Sequence, residues 1–280
     1  MNRFRTPVLV ALALIACTAA AQASVTVEKP FQQSYPLKAG GTLEVSNTNG
    51  GITVEAWDRA EVRVDAVKKI KAASSEKAEE IAKQIKIDVR QSAGTVRIET
   101  IMPRGTGGGF LDWLTGNDAS ASVEYKIKAP RDVVAKLDNT NGGLRLVGTR
   151  GRAELETVNG GVTVERTEGD VHVETTNGGI TVIEAAGALE GSTTNGGITA
   201  HLNRVDGDIN LETTNGSVTL KVPRDLRANL DVSTWNGGIH SDLEVTGGEK
   251  SRRHLSGEIN GGGGLLKVET TNGGVRIEAE

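Results

Sequence analysis

Residues 141–194 read, in three consecutive blocks of 18, NGGLRLVGTRGRAELETV, NGGVTVERTEGDVHVETT and NGGITVIEAAGALEGSTT. Asn-Gly recurs at Asn49, Asn141, Asn159, Asn177, Asn195, Asn215, Asn236, Asn260 and Asn272; after the three 18-residue intervals from Asn141 come steps of 20 and 21. Each unit holds two glycine-marked corners and two short runs in which apolar residues alternate with polar ones. Leu144/Leu146, Val162/Val164, Ile180/Val182 and Val218/Leu220 are spaced two apart, with Arg145, Thr163, Thr181 and Thr219 between them, the pattern of a strand with one buried face. In the second run Ala153/Leu155/Thr157, Val171/Val173/Thr175 and Ile209/Leu211/Thr213 face inward. Glu154, Glu156, His172, Glu174, Asn210 and Glu212 face out. Gly151, Gly169, Gly187 and Gly207 mark the second corner.

Two geometries use this pattern. With Asn-Gly as a type I′ turn, the units form an antiparallel β-meander. With each unit as one coil, like residues stack at ~4.8 Å in a parallel β-solenoid-like array of short strands. Strict like-on-like repetition over strands this short favours the solenoid. Its corners are then Asn49, Asn141, Asn159, Asn177, Asn195, Asn215, Asn236 and Asn272, where stacked amides can form a hydrogen-bonded ladder. The following glycine would supply the positive φ of a tight bend.

Leu43–Val54 (LEVSNTNGGITV) is already a copy of the motif, and Glu61–Ala66 continues as an alternating strand. Ser74–Gln84 (SSEKAEEIAKQ) reads as a short helix, with a serine to cap it and Glu76 near the positive end of its dipole. Ile85–Val89, Val96–Thr100 and Ser122–Ala129 resume the strand alternation. Between the last two lies a glycine-rich loop over 102–120 that carries Phe110-Leu111-Asp112-Trp113-Leu114. The organisation expected is a signal peptide over 1–23, an N-terminal part of the array over 24–135 and the Asn-Gly-Gly repeats over 136–280, continuous with it because no flexible linker intervenes.

Among 280 residues, 36 are glycine, 6 are proline and 37% are apolar. A core is therefore available, which excludes a disordered chain, and the lack of a three-residue glycine period excludes collagen. Lys plus Arg is 32 against 36 Asp plus Glu, a net charge of −4 that gives nucleic-acid binding nothing to run on. Met1–Arg5 carries two arginines, Val8–Ala16 is apolar, and Ala21-Gln22-Ala23 precedes Ser24, the pattern of an export signal cleaved between Ala23 and Ser24. Removal of Arg3 and Arg5 leaves 30 − 36 = −6. Leu14-Ile15-Ala16-Cys17 is also lipobox-like; on that alternative route Cys17 is acylated and the protein is a membrane-anchored lipoprotein. The apolar run is too short to remain as a span, and membrane association is expected only through Cys17. With no cysteine after Cys17, stability rests on backbone ladders and packing.

The Leu43–Trp57 motif (LEVSNTNGGITVEAW), the Glu61–Val64 strand, the short helix, the Lys126–Pro130 segment (KIKAP) and the repeats in that order resemble the bacterial exported β-strand-repeat proteins called the "putative adhesin" family, a domain of unknown function. The resemblance spans about residues 28–280. It implies an envelope-associated β-solenoid without a defined catalytic residue.

Chemical motifs are sparse. His172, His201, His240 and His254 show neither an i, i+4 pair nor a Cys partner, so no metal ligand set is read. Asp206-Gly207-Asp208 occurs in one corner only and fits turn chemistry. Gly105–Gly109 and Gly261–Gly264 lack the Lys-Ser/Thr and helix of a phosphate cradle. Strand glutamates leave a carbohydrate-active reading as an alternative, against which stands an aromatic content of 3%. Thr163, Thr181, Thr199 and Thr219 could form an outward column, but Glu165, His201 and Lys221 beside it break the flat uncharged surface of an ice-binding face. Phe110, Leu111, Trp113 and Leu114 form either a cap or a partner contact. The expectation is a non-enzymatic exported cell-envelope protein, structural or adhesin-like, without cofactor, catalytic residue or metal. Its partner would be an envelope component or a surface polysaccharide or protein. A polysaccharide-binding or -cleaving solenoid and a periplasmic sensing partner are the alternatives.

Overall fold

The computed structural model describes residues 24–103 and 119–280. The signal segment with Cys17 and Ala23, and the Phe110–Leu114 stretch, lie outside the described residues. Two eleven-stranded sheets enclose one continuous apolar core. Each repeat contributes a longer strand to one sheet and a shorter strand to the other: β8 (Val134–Asn141) and β9 (Leu144–Val147), β10 (Ala153–Asn159) and β11 (Val162–Glu165), β12 (Val171–Asn177) and β13 (Ile180–Ile183), β14 (Leu189–Asn195) and β15 (Ile198–His201), β16 (Ile209–Asn215) and β17 (Val218–Val222). Neighbouring coils pair in parallel and in register, Val171 with Leu189 and Val162, Thr163 and Val164 with Ile180, Thr181 and Val182. The array is the solenoid-like one, and the antiparallel meander is excluded.

The period-2 alternation explains this burial. Val173 and Val182 are 0% exposed, while Thr181 between two buried neighbours faces out. Each fully buried Val, Leu or Ile contributes about 1.5–3 kcal/mol, so the stack needs no disulfide.

At both ends the order of coils departs from the order of the chain. The coil β2 (Thr42–Asn49) and β3 (Ile52–Trp57) stacks on β8 and β9, whereas the later coil β6 (Thr95–Ile101) and β7 (Ser120–Pro130) lies outside it. At the other end β21 (Gly264–Asn272) and β22 (Val275–Ala279) stack on β16 and β17, and the earlier pair β18 (Ala228–Asn236) and β19 (Ile239–Ser241) is outermost. Simple winding of a repeat would stack each coil on its predecessor; here the first and last copies of the motif are clamped between others.

Antiparallel strands finish the ends. β4 (Glu61–Ala72) pairs with β7, β1 (Val25–Pro36) with β4, β5 (Lys86–Ser92) with β6, and β20 (His254–Ile259) with β18. Helix α1 (Ser75–Gln84) packs on β1 and β4 through Ala78, Ile81 and Ala82. Ser74 caps it, its hydroxyl accepting from the Lys77 amide at 3.2 Å, and Glu76 in the first turn is held below the usual carboxylate range by its own backbone amide and by Ser74.

Candidate functional surface

The repeat corner is built from three stacked columns. The asparagine ladder runs through seven amide–amide bonds of 2.8–2.9 Å, from Asn141 Nδ2 donating to Asn49 Oδ1 through to Asn272 donating to Asn215 and Asn236 donating to Asn272. Two residues before each ladder asparagine stands an inward Thr or Asn that donates to a carbonyl of the adjoining coil, a glycine's from Asn139 onward: Asn47 Nδ2 to Val123, Asn139 Nδ2 to Gly50, Thr157 to Gly142, Thr175 to Gly160 and Thr193 to Gly178. The T/N-x-N-G spelling carries this second column, and the sequence reading, which placed Thr157 and Thr175 inward, missed what their hydroxyls bind.

The corner glycines correct a second expectation. Positive φ is present at Gly50 (108°) and Gly142 (144°) but not at Gly160, Gly178, Gly196, Gly216 and Gly273. At those positions the requirement is space. A Cβ on Gly160 would lie 2.1 Å from Gly142 O, and one on Gly178 would lie 2.0 Å from Gly160 O.

The same register stacks the outward residues of the longer strands. Asp138 lies beside Glu156, and Glu156 beside Glu174. Beyond a Ser192 interruption come Glu212 and Glu269; Ser46 and Glu99 extend the row the other way. Two residues along each strand a different row alternates in sign: Glu44 with Arg97 (3.5 Å), Glu154 with Lys136 (2.9 Å), Glu190 with His172 (3.0 Å). Among the described residues, Asp138, Glu156 and Glu174 have no ion-pair partner. They border a shallow groove of about 430 Å³ that Glu99, Thr140 and Thr176 also line. Partial burial raises the Glu156 carboxyl above the usual carboxylate range, helped by Asp138 and Glu174; burial first, then Glu154, does the same at Asp138.

His172 joins this row from the side: one ligand atom each from Glu156, His172 and Glu174 lies within 4.8 Å of the others. A transition metal could take two carboxylates and an imidazole there, a combination the sequence reading did not assemble. The four histidines do not converge on one another. His201 pairs with Glu280, His240 with Asp242 at 3.0 Å, and His254 lies between Glu249 (3.1 Å) and Asp231 (3.2 Å), which together raise its pKa.

The remaining candidates are placed as follows. Thr163, Thr181, Thr199 and Thr219 do stack in register, flanked by Arg145 and Arg276, and Arg145 pairs with Glu165 at 2.6 Å. Asp208 braces the neighbouring coil, its Oδ1 accepting from the Leu265 amide of β21 at 2.8 Å. Trp57 is engaged by the fold, Nε1 donating to Glu61 O at 2.8 Å with the Arg59 guanidinium 4.9 Å above the ring. Trp235, before the last ladder asparagine, is 72% exposed. Among the described residues no helix is long and apolar enough to cross a membrane.

Residues 152–278 match the family model described as Toastrack DUF4097. Among solved structures, the chain is similar to a "putative cell adhesion protein" from Clostridium sporogenes at 12% identity, covering 90% of this chain and 100% of that one with a TM-score of 0.38. It is similar to a "putative adhesin" from Bacteroides fragilis at 12% identity, covering 90% and 97% with a TM-score of 0.44. A "putative lipid binding protein" from Parabacteroides distasonis is 8% identical, covering 89% and 96% with a TM-score of 0.27. No curated protein matches the chain in sequence. The segment that matches Toastrack DUF4097 is the stacked-coil part of the array, the part whose Asn-Gly-Gly repeats carry the resemblance read from the sequence.

Proposed function

We propose that this chain is a non-enzymatic, exported cell-envelope protein, structural or adhesin-like, that uses the outward face of its longer strands as an extended contact surface. The observation that carries the reading is the Asp138–Glu156–Glu174 row. Like charges directly opposite one another on neighbouring strands are destabilising, whereas in the row beside it Lys136 and Arg97 pair with Glu154 and Glu44. An uncompensated row on a rigid scaffold suits a partner that brings the counter-charge, and a stacked array holds its carboxylates at the ~4.8 Å strand spacing without further ordering cost. Export rests on the MNRFR start, the apolar run and the Ala-Gln-Ala site. The partner is an envelope component or surface polysaccharide or protein bearing cationic groups.

The test is binding of the mature protein to envelope fractions and capsular polysaccharides, compared with a D138N/E156Q/E174Q variant. The proposal expects the variant to keep its melting temperature and lose binding that is salt-sensitive in the parent. Undiminished binding by the variant would refute the role of the row.

One observation favours the carbohydrate-active alternative: Glu156, its carboxyl raised, stands beside Glu174, as an acid and its partner carboxylate do in glycosidases. Assaying the same incubations for released saccharide fragments separates the two, because a binding protein liberates none.

A further inference from the structure

The asparagine ladder has one chemically open rung. In the interior each rung is closed twice over. The glycine after the asparagine donates its N–H to the asparagine carbonyl of the next coil, Gly160 to Asn177 at 3.0 Å and Gly178 to Asn195 at 3.0 Å. The side-chain Oδ1 meanwhile accepts from the next amide, as Asn159 Oδ1 does from Asn177. Asn236 belongs to the outermost coil. Its Nδ2 donates inward to Asn272 Oδ1 at 2.9 Å and its carbonyl accepts from Gly273 N at 3.1 Å. On the outward side, neither Asn236 Oδ1 nor the Gly237 N–H has a partner among the described residues. The Arg252–Arg253 backbone flanks this outer side, accepting from Ile239 N at 3.2 Å and Thr234 N at 2.9 Å, but it does not stack on the rung as a further coil would: a Cβ on Gly238 would meet nothing within 4 Å, whereas one on Gly179 would lie 3.3 Å from Gly197 O of the next coil.

We infer that Asn236-Gly237 is a self-modification site at which the terminal rung deamidates. The Gly237 backbone nitrogen attacks Asn236 Cγ, forming a C–N bond and closing a five-membered succinimide. The Cγ–Nδ2 bond breaks and Nδ2 leaves as ammonia, carrying the proton given up by the Gly237 nitrogen. Water then adds to either ring carbonyl and opens the ring to aspartate or isoaspartate. No oxidant, metal or enzyme is needed. Glycine favours the step because no Cβ shields the attacking nitrogen, and Asn236 itself is exposed. An interior asparagine would first have to leave two amide–amide bonds and free a glycine N–H already engaged, so its reaction waits on opening of the stack. Asn260-Gly261, outside the ladder, is restrained differently: Asn260 Nδ2 donates to the carbonyls of Arg224 (3.1 Å) and Leu226 (2.8 Å). The product places a negative charge on the outermost rung and removes the amide that holds it to Asn272.

The experiment incubates the folded protein at mildly alkaline pH in water enriched in heavy oxygen and follows each Asn-Gly pair by peptide-mapping mass spectrometry. A parallel sample is unfolded in urea. Asn236 is expected to convert about tenfold or more faster than Asn159, Asn177 and Asn195 in the folded sample, because those rungs react only through opening. In urea the same four should converge to similar rates. The inference is overturned if Asn236 in the folded protein reacts no faster than the interior rungs, or if Asn260 outruns it.

Discussion

Thr175 Oγ1 donates to the carbonyl of Gly160 across 3.0 Å, hooking the inward end of one coil onto the corner of the coil beside it. Thr193 and Gly178 repeat the relationship at 2.9 Å. Replacing Thr175 by Val keeps the shape and leaves a buried carbonyl without its donor, a loss of about 1–2 kcal/mol. Thr167 supplies the contrast. It is 1% exposed, and its hydroxyl has no hydrogen-bond partner among the described residues. Thr167→Val should leave stability unchanged or raise it by up to about 1 kcal/mol, since an unmade hydrogen bond is removed together with its desolvation cost. Urea midpoints of the two variants check the pair, and a larger loss at Thr167 than at Thr175 would contradict the assignment of the threonine column.

The corner glycines predict an asymmetry along the ladder. Gly178→Ala drives a methyl to within 2.0 Å of a backbone oxygen that cannot move without unstacking, so it should cost several kcal/mol or prevent folding. Gly238→Ala, in open space at the end of the same stack, should change the melting temperature little. Thermal melts distinguish them, and equal tolerance would show that packing is not what holds glycine at Gly178.

The inward and outward sets are separable in one strand pair. Val173→Asp buries a charge among fully covered side chains and should cost several kcal/mol, whereas Thr181→Asp, facing out, should cost no more than about 1 kcal/mol. Similar melting temperatures for the two variants would refute the facing.

Alkaline stability should report Tyr125. Its ring is buried and its hydroxyl lies 2.6 Å from Thr100 Oγ1; burial pushes the phenol up to about 12. In the unfolded chain it ionises near its ordinary value of 10.0, so the unfolded state sheds a proton that the folded state keeps. Stability from this group is therefore complete below pH 10 and is lost as pH rises from there towards 12, by roughly 2–3 kcal/mol. Tyr125→Phe should flatten that decline in a series of urea melts; an unaltered decline would place its origin elsewhere.

Much of this architecture is legible in the sequence because its information is local. The alternation of Val171, Val173, Ile180 and Val182 fixes inside and outside strand by strand, and Ser74 with Glu76 announces the helix start. The order of coils at the ends is not local. Nothing within 264–279 says that this copy will stack on β16 and β17 rather than on the copy before it, since all the copies carry the same pairing pattern. The reason for glycine at the corners was likewise hidden: one residue type serves both positive φ and close approach, and only the backbone angles, positive at Gly142 but not at Gly160, separate the corners that need both from those that need space alone.

The acidic row was within reach. Asp138, Glu156 and Glu174 stand 18 residues apart, the repeat interval itself, and extending the column comparison from apolar to charged positions would have assembled them. The approach of His172 needed coordinates, because it depends on a diagonal between two columns.

In-register stacking of like residues in parallel coils underlies the ladder, the acidic row and the proposed surface alike, and cross-linking tests it most directly. In a protein beginning at Ser24, which has no other cysteine, Thr163→Cys with Thr181→Cys places two thiols on adjacent strands. Their backbones are separated by the ~4.8 Å strand spacing, inside the range a disulfide accepts. Thr163→Cys with Thr199→Cys spans two coils, about 10 Å, beyond that range. Mild oxidation should close the 163–181 disulfide in the folded protein and leave the 163–199 pair reduced. A 163–181 pair that stays open under conditions where the protein remains folded would contradict the stacked register.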